Sequence, residues 1–533
     1  MTSRLRPADE CVLPTVLRRR AAERPDQTFV IFEDGVDWTY ARMLREAEQV
    51  AAGLVTLGVG RGDRVVSWLP NGPDALRVWF GVNLLGAILV PLNTAYRGGL
   101  LEHAFRLSGA EVAVVHSDLL PRLGEIDLHG VRDVVAVGPE HTGPFAVTVH
   151  SETIFAVERP GPPAVDLAPW DTYAIILTSG TTGPSKGVIC AYAQLSACAE
   201  AAFEGNFGPG DRYLVTLPLF HAGGTIGVNA AVVLGGSIAV TTAFRTPEFW
   251  DLVRTTGSTH VTLLGVMATF LSKQPESAAD TEHPLRRVFM IPLSEDAAEF
   301  ARRFDVDLVA MFNMTEVSIP IISELNPSVA GTSGRVRPGV EARLVDEHDR
   351  EVADGTVGEL IVRADRPWTI ANGYLGRPEA TAAAWRNGWF HTGDAFRRVD
   401  GEFFFVDRLG DTIRRRGENI SSFEVESEIL AHPDVQEAAV VATPSPDGED
   451  EVLAVVAPVA GRRIDVVELL EFVCPRMAHF MVPRFVRVLD ELPKTPTSKI
   501  QKHLLRTEGV TADTLDREDL GVVVKRGRVG SRE

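Results

Sequence analysis

A chain of 533 residues is too long for one compact core, so at least two domains are expected. A formal net charge of -19 repels nucleic acid and anionic membrane at long range, which excludes a general affinity for either and leaves any phosphate ligand to be held by local groups. With 45% hydrophobic and 23% charged residues the composition is that of an ordinary soluble globular protein.

In chain order, residues 1–20 are interrupted by charges and lack the apolar core of a signal peptide. The four cysteines, Cys11, Cys190, Cys198 and Cys474, form no C-x-x-C pair and show no metal-ligand spacing to histidines, so a reducing, cytoplasmic setting is expected. From about residue 27 to residue 300, short runs of Val, Ile and Leu alternate with helical patterns. Residues 64–69 read as a strand, 74–85 as a helix and 88–92 as a strand, and such alternation predicts βαβ units on parallel sheets. The most apolar stretch, residues 78–92, contains Asn83 and falls short of the roughly 20 residues that cross a bilayer. It predicts a core helix running into a strand, with no stable membrane insertion. Residues 58–63 hold three glycines but precede a strand and open no helix, which predicts a turn and not a dinucleotide loop.

From about Gly334 the pattern changes to short alternating strands, 341–345, 359–362 and 402–406, separated by Gly and Asp turns. That predicts a β-rich subdomain. A compact α+β pattern follows the segment beginning at Asp407 and runs to about Arg506. The expected fold class is therefore α/β: a large N-terminal domain of parallel βαβ sheets plus a β-rich subdomain over residues 1–408, a small α+β domain over 409–507, and a charged tail over 508–533.

The most informative segment is 173–189, a buried apolar strand emptying into Thr178, Ser179, Gly180, Thr181, Thr182, Gly183, Pro184, Ser185, Lys186 and Gly187. Glycines let backbone N–H groups turn toward an anion, hydroxyls add donors and Lys186 supplies a point charge, so the chemistry is that of a polyphosphate cradle. The spacing is not that of the Walker A loop, because Gly180 stands six residues before Lys186 and Gly187 follows it. Lysine is scarce: only residues 186, 273, 494, 499, 502 and 525 among 53 basic residues. A chain that prefers arginine keeps lysine where a compact ammonium on a flexible stem is needed.

The T-S-G-T-T-G-P-S-K-G run resembles the signature loop of the adenylate-forming superfamily of acyl-CoA synthetases, peptide-synthetase adenylation domains and luciferases, and further motifs match in the family's order across residues 39–502. The flavour is nearest to crotonobetaine/carnitine-CoA ligase-like enzymes. The resemblance implies ATP/AMP, Mg²⁺ and coenzyme A as ligands and acid-thiol ligation through an acyl adenylate, with a small-molecule carboxylic acid or acyl adenylate as partner. A homodimer is compatible with it.

Residue by residue, the resemblance implies that Phe312 stacks adenine, that Asn313 and Met314 line the nucleotide, that Thr315 donates to the α-phosphate and that Glu316 holds Mg²⁺. Asn313 stands where the motif has Gly, and Phe289-Met290-Ile291 lacks the family's small pair, so crowding of the nucleotide is expected. His221, after Phe220, would border the carboxylate pocket, followed by the acyl-pocket segment 261–267. Asp394 would accept from the ribose hydroxyls with Arg408 assisting. Gly410 stands at the family hinge about which the small domain would rotate, and Gly417 in the segment lining the pantetheine tunnel. Lys499 would bridge carboxylate and α-phosphate in adenylation. Two rival readings stay open: thioesterification of a preformed acyl-AMP with weak or no adenylation, and a catalytically silent nucleotide-binding protein.

Overall fold

A computed structural model of the chain describes residues 5–139, 147–156, 165–180, 183–294, 296–409, 411, 413–415, 418–420, 422–444, 450–477, 479, 481–494, 499–522 and 524. The chain forms two compact units: Met1–Arg343, Ile361–His391 and Val399–Phe404 make the first, and Leu344–Leu360, Thr392–Arg398 and Phe405–Glu533 the second.

The first unit is built on two sheets. In one, strands Thr148–Ser151, Asp133–Val137, Val112–His116, Arg64–Trp68, Ile88–Pro91 and Thr172–Gly180 lie side by side, all parallel, and Gly183–Ala191 adds an antiparallel edge. In the other, Thr28–Phe32, Ser237–Val240, Arg212–Val215, His260–Leu264, Arg287–Ile291 and Asp307–Phe312 run parallel, continued by antiparallel Ile321–Ile322 and Thr332–Val336. Parallel strands need long crossovers, and the helices that supply them cover the sheet faces, which is why these strands read as unbroken Val, Ile and Leu runs.

One apolar cluster draws on both sheets and on helices Leu13–Glu23, Tyr40–Thr56, Pro73–Leu84, Tyr192–Phe203 and Ala222–Leu234. Helix Tyr40–Thr56 starts where the Thr39 hydroxyl accepts from the Arg42 N–H, and it buries Met43, Ala47, Val50 and Leu54, a stripe at helical spacing. Gly81 lets the next helix approach: a Cβ there would sit 2.8 Å from the Ala47 carbonyl oxygen. Asn83, wholly buried, is tolerated because its amide bonds the carbonyls of Ala87 and Tyr173 and accepts from the Trp79 indole. The expected helix and strand over 78–92 are present as Pro73–Leu84 and Ile88–Pro91. Residues 58–63 form the expected turn. Among the described residues no helix is long and apolar enough to cross a membrane.

The second unit centres on strands Val435–Pro444, Asp450–Pro458, Phe485–Val488 and Thr514–Asp516, with helices Ser422–Leu430 and Val466–Val473 packed into one apolar core. Its core also holds a charge pair: Arg415 and Glu451 meet at 2.6 Å with side chains 4% and 5% exposed. Residues 514–516, expected in a charged tail, instead pair as a strand with Phe485–Val488. The charges explain the docking, since Asp516 pairs with Arg484 at 3.2 Å and Asp513 with Arg487 at 2.9 Å.

Candidate active site

In the first unit, the glycine- and threonine-rich segment is the end of a β-hairpin rather than a wholly irregular loop. Strands Thr172–Gly180 and Gly183–Ala191 pair antiparallel with Thr178 opposite Lys186 and Gly180 opposite Gly183. Thr178 reaches the Lys186 carbonyl at 3.5 Å. Ser179, Gly180 and Gly183 lie on these strands, while Thr181 and Thr182 lie outside the described residues. Gly187 is required by packing, because a Cβ there would stand 2.8 Å from Ile175 Cγ2.

A segment that sequence reasoning missed binds this hairpin to the Thr-Glu motif. The Leu375 N–H donates to the Gly187 carbonyl, Asn372 and Gly373 exchange backbone bonds with Ile189, and the Ala371 N–H donates to the Glu316 carbonyl at 2.9 Å. Tyr374, between them, carries the Lys186 ammonium over its ring at 4.8 Å and donates its hydroxyl to Glu316 Oε1 at 2.9 Å. Lys186 and Glu316 are thus brought to one aromatic side chain. The available signal was an aromatic directly after Gly373, too common a pairing to single out.

Strand Asp307–Phe312 delivers the motif. Phe312, Asn313, Met314 and Thr315 are half-exposed in succession, and Glu316 is buried. Gln194, on helix Tyr192–Phe203, donates to the Thr315 carbonyl at 2.8 Å. Two of the side chains expected to crowd the nucleotide, Met290 and Asn313, are engaged elsewhere, while Ile291 is half-buried on the opposite face of its strand from Met290. Met290 is fully buried in the apolar cluster with Leu263, Phe300 and Phe304, and the amide oxygen of Asn313 accepts from the Ile319 N–H at 2.9 Å. The alternation of a strand turns Met290 away from the face its neighbours share.

Glu316 presents a hard oxygen ligand, and one carboxylate completed by substrate phosphate and water is the usual way Mg²⁺ is held, so the residues fit that cation. His221 precedes helix Ala222–Leu234 and stands 4.9 Å from the Phe220 ring, centroid to centroid. Burial pushes its pKa down to about 4, so the imidazole is neutral at neutral pH. Gly224 holds the turn close: a Cβ would meet the Pro218 oxygen at 2.2 Å. In segment 261–267, Val261 and Leu263 belong to the core, leaving Thr262 half-exposed and Leu264 exposed on the alternate face.

In the second unit, Asp394 is fully buried on strand Trp389–Val399, and the Arg408 Nε lies 2.7 Å from its Oδ1. Lys499 belongs to the same group. Although the residue as a whole is exposed, crowding around its ammonium and the Arg408 cation lower its pKa, against the raising pull of Asp394 and Asp411. Asp407 braces the group: its oxygens accept from the Arg408 N–H at 2.7 Å and from the Ser422 N–H and hydroxyl at 2.8 and 2.7 Å. Ser422 in turn accepts from Lys502, which also pairs with Glu426 at 2.7 Å. The structure thus gathers Asp394, Arg408 and Lys499, separated by up to 105 positions in sequence (499 − 394). Gly410 and Gly417 lie outside the described residues.

A glycine- and threonine-rich hairpin is thus joined through Tyr374 to a buried carboxylate on this pair of parallel sheets, and the class this chain belongs to is that of the AMP-binding, adenylate-forming enzymes. Residues 17–375 match the AMP-binding enzyme family and residues 424–499 the AMP-binding enzyme C-terminal domain, and the chain belongs to this family. Its relatives include crotonobetaine/carnitine–CoA ligase of Salmonella paratyphi C, 31% identical over 90% of this chain and 96% of that protein. Among solved structures, ATP-bound MatB from Rhodopseudomonas palustris is 26% identical with a TM-score of 0.78, over 93% of this chain and 98% of that one. An anthranilate CoA ligase in complex with anthranoyl-AMP shares the fold at a TM-score of 0.84 and 24% identity, over 95% of this chain and 98% of that one.

Proposed function

We infer that this chain is an AMP-forming acid-thiol ligase that makes an acyl-CoA from a carboxylic acid, ATP and coenzyme A. In the first half-reaction a carboxylate oxygen attacks the α-phosphorus, the bond to the β-phosphate oxygen breaks, and pyrophosphate leaves. Phosphoryl chemistry of this kind asks a protein for positioning and charge neutralisation more than for covalent participation. Lys186 and the hairpin N–H groups hold the phosphates, Thr315 donates to the α-phosphate, and Phe312 stacks the adenine beside Met314. Glu316 would hold Mg²⁺, which when bound would supply charge neutralisation on the phosphates. Lys499 neutralises carboxylate and phosphate as the two anions approach. In the second half-reaction the thiol sulfur attacks the acyl carbon, its proton passes to solvent or phosphate, and the bond to AMP breaks. Asp394 and Arg408 hold the ribose throughout, and His221 walls the acid pocket as a neutral imidazole. Gly410 serves as pivot between the half-reactions, and Gly417 lines the thiol's path.

What supports this reading most is that Lys499 feels the charges of Asp394 and Arg408, the ion pair to which the family resemblance gives the ribose. The narrower reading, thioesterification without adenylation, rested on crowding by Asn313 and the Met290-Ile291 pair. The core position of Met290 and the Asn313–Ile319 bond favour a full two-step enzyme instead. We propose an apolar or bulky acid as substrate and the cytoplasm as setting; all four cysteines are free thiols. The test offers acid, ATP and CoA in one reaction and preformed acyl-AMP with CoA in another. Both should yield thioester; product only from the second would establish the narrower reading, and product from neither a silent protein.

A further inference from the structure

The turn that carries Thr315 and Glu316 is tied down from outside at nearly every position. Gln194 holds the Thr315 carbonyl and Ala371 the Glu316 carbonyl. Beyond them the chain takes an unfavourable shape: Ile319 is a β-branched residue, wholly buried, with φ at 49°. Such residues persist in the left-handed region only when their surroundings hold them there, and an outlier of this kind beside a ligand site points to a conformation kept for function. Two side chains do the holding. The Asn313 amide oxygen accepts from the Ile319 N–H at 2.9 Å. The Arg337 guanidinium, on a residue only 8% exposed, donates from Nε to the Ile319 carbonyl at 2.8 Å. Its Nη2 donates to the Ser318 carbonyl at 3.0 Å and the Ser318 hydroxyl at 3.1 Å.

We propose that Asn313 and Arg337 are positioning residues for adenylation: they clamp both sides of the Ile319 peptide and so fix the Thr315–Glu316 turn where its hydroxyl and carboxylate meet the magnesium-bound phosphates. The proposal rests on the role assigned above to Glu316. It inverts the expectation from the sequence, in which an Asn in place of Gly obstructs the nucleotide. A glycine at 313 has no side-chain oxygen, so the Ile319 amide, in a buried strained turn, loses its acceptor. Arg337 directs its Nε and Nη2 donors at Ser318 and Ile319, while Nη1 bonds the Pro338 carbonyl at 3.2 Å, an arrangement that ties the 318–319 segment to the strand end that carries Arg337.

The experiment uses the full chain and an acid that supports turnover, chosen from a panel of straight-chain and aromatic acids. Acid-dependent pyrophosphate release is titrated with Mg²⁺ for the wild type, N313G, R337M and E316Q, and thioester formation from the matching supplied acyl adenylate and CoA is measured beside it. N313G should raise the half-saturating Mg²⁺ concentration by roughly five- to tenfold, the effect of one lost hydrogen bond, with the thioester step near the wild-type rate. R337M should move in the same direction; if it does not fold, N313G carries the test alone. N313G with wild-type or improved Mg²⁺ dependence overturns the proposal, as does a proportional loss of both half-reactions, which a merely structural role would produce. An unchanged Mg²⁺ dependence in E316Q would instead strike the assignment of Glu316, and the clamp with it.

Discussion

The two units hold their functional side chains by different means. In the first, the turn carrying Thr315 and Glu316 is fixed through its backbone, by donors on Gln194, Ala371 and Arg337 and by the accepting amide oxygen of Asn313, with one tyrosine touching both Lys186 and Glu316. In the second, Asp394, Arg408 and Lys499 sit among other charges, Asp407, Asp411, Lys502 and Glu426, over a core that itself contains the Arg415–Glu451 pair. The difference teaches where each unit is vulnerable. The neutral bonds from Gln194, Ala371 and Asn313 fail by fractions and lose precision, whereas buried charge pairs fail abruptly when one partner is removed.

The largest expected effect sharpens that contrast on the side of charge. Lys499→Ala should lower acid-dependent pyrophosphate release by about 100- to 1000-fold, the scale for losing one preorganised charge stabiliser, while supplied acyl-AMP is still converted to thioester. Equal loss in both assays would place Lys499 in the fold rather than in the chemistry. Next, Glu451→Gln leaves the Arg415 cation buried without its carboxylate and should destabilise the second unit by about 3–5 kcal/mol. Urea unfolding followed by a probe in that unit would read it, and a shift below about 1 kcal/mol would deny the contrast between the units.

Acid should weaken the first unit through its buried imidazoles. Burial pushes His221 and His260 down to about 4, the latter despite Asp211 nearby. Below the unperturbed value of about 6.5 the unfolded chain takes up protons that the folded chain refuses, so stability is complete above that pH and is lost as pH falls toward 4. The slope reaches about 1.4 kcal/mol per pH unit for each histidine, and H260N should flatten it in a melting-temperature series from pH 4 to 7. A slope unchanged by that substitution would contradict the assignment. The smallest effect is Gln194→Ala, which removes one bond to the Thr315 carbonyl and should cost about 1 kcal/mol, read as a few-fold loss in kcat/KM for ATP.

The parallel sheets were legible because βαβ units write themselves as apolar runs between helical stripes, and the core helix at Pro73–Leu84 stood out for the same reason. The order of the motifs made Lys186, Glu316, Asp394 and Lys499 stand out along the chain. What the sequence hid was the set of side chains that support the motif residues from elsewhere in the chain. Tyr374, Gln194 and Arg337 lie 58, 121 and 19 or fewer positions from the groups they touch, and nothing in a lone tyrosine, glutamine or arginine announces the carbonyl or carboxylate it will meet. Asn313 misled for a related reason: a side chain in place of glycine reads as bulk until its oxygen is seen on Ile319. The strand Thr514–Asp516 was hidden by its charges, which pair with Arg484 and Arg487 and dock it.

The central claim is that one chain performs both half-reactions. Rapid-quench analysis of the purified protein with ATP and an acid panel, before and after CoA is added, tests it most directly. The account predicts acid-dependent pyrophosphate and enzyme-bound acyl-AMP in the absence of CoA, then AMP and acyl thioester in equal amounts once CoA arrives. ADP and phosphate as products, or thioester from supplied acyl-AMP with no pyrophosphate from any acid, would contradict it.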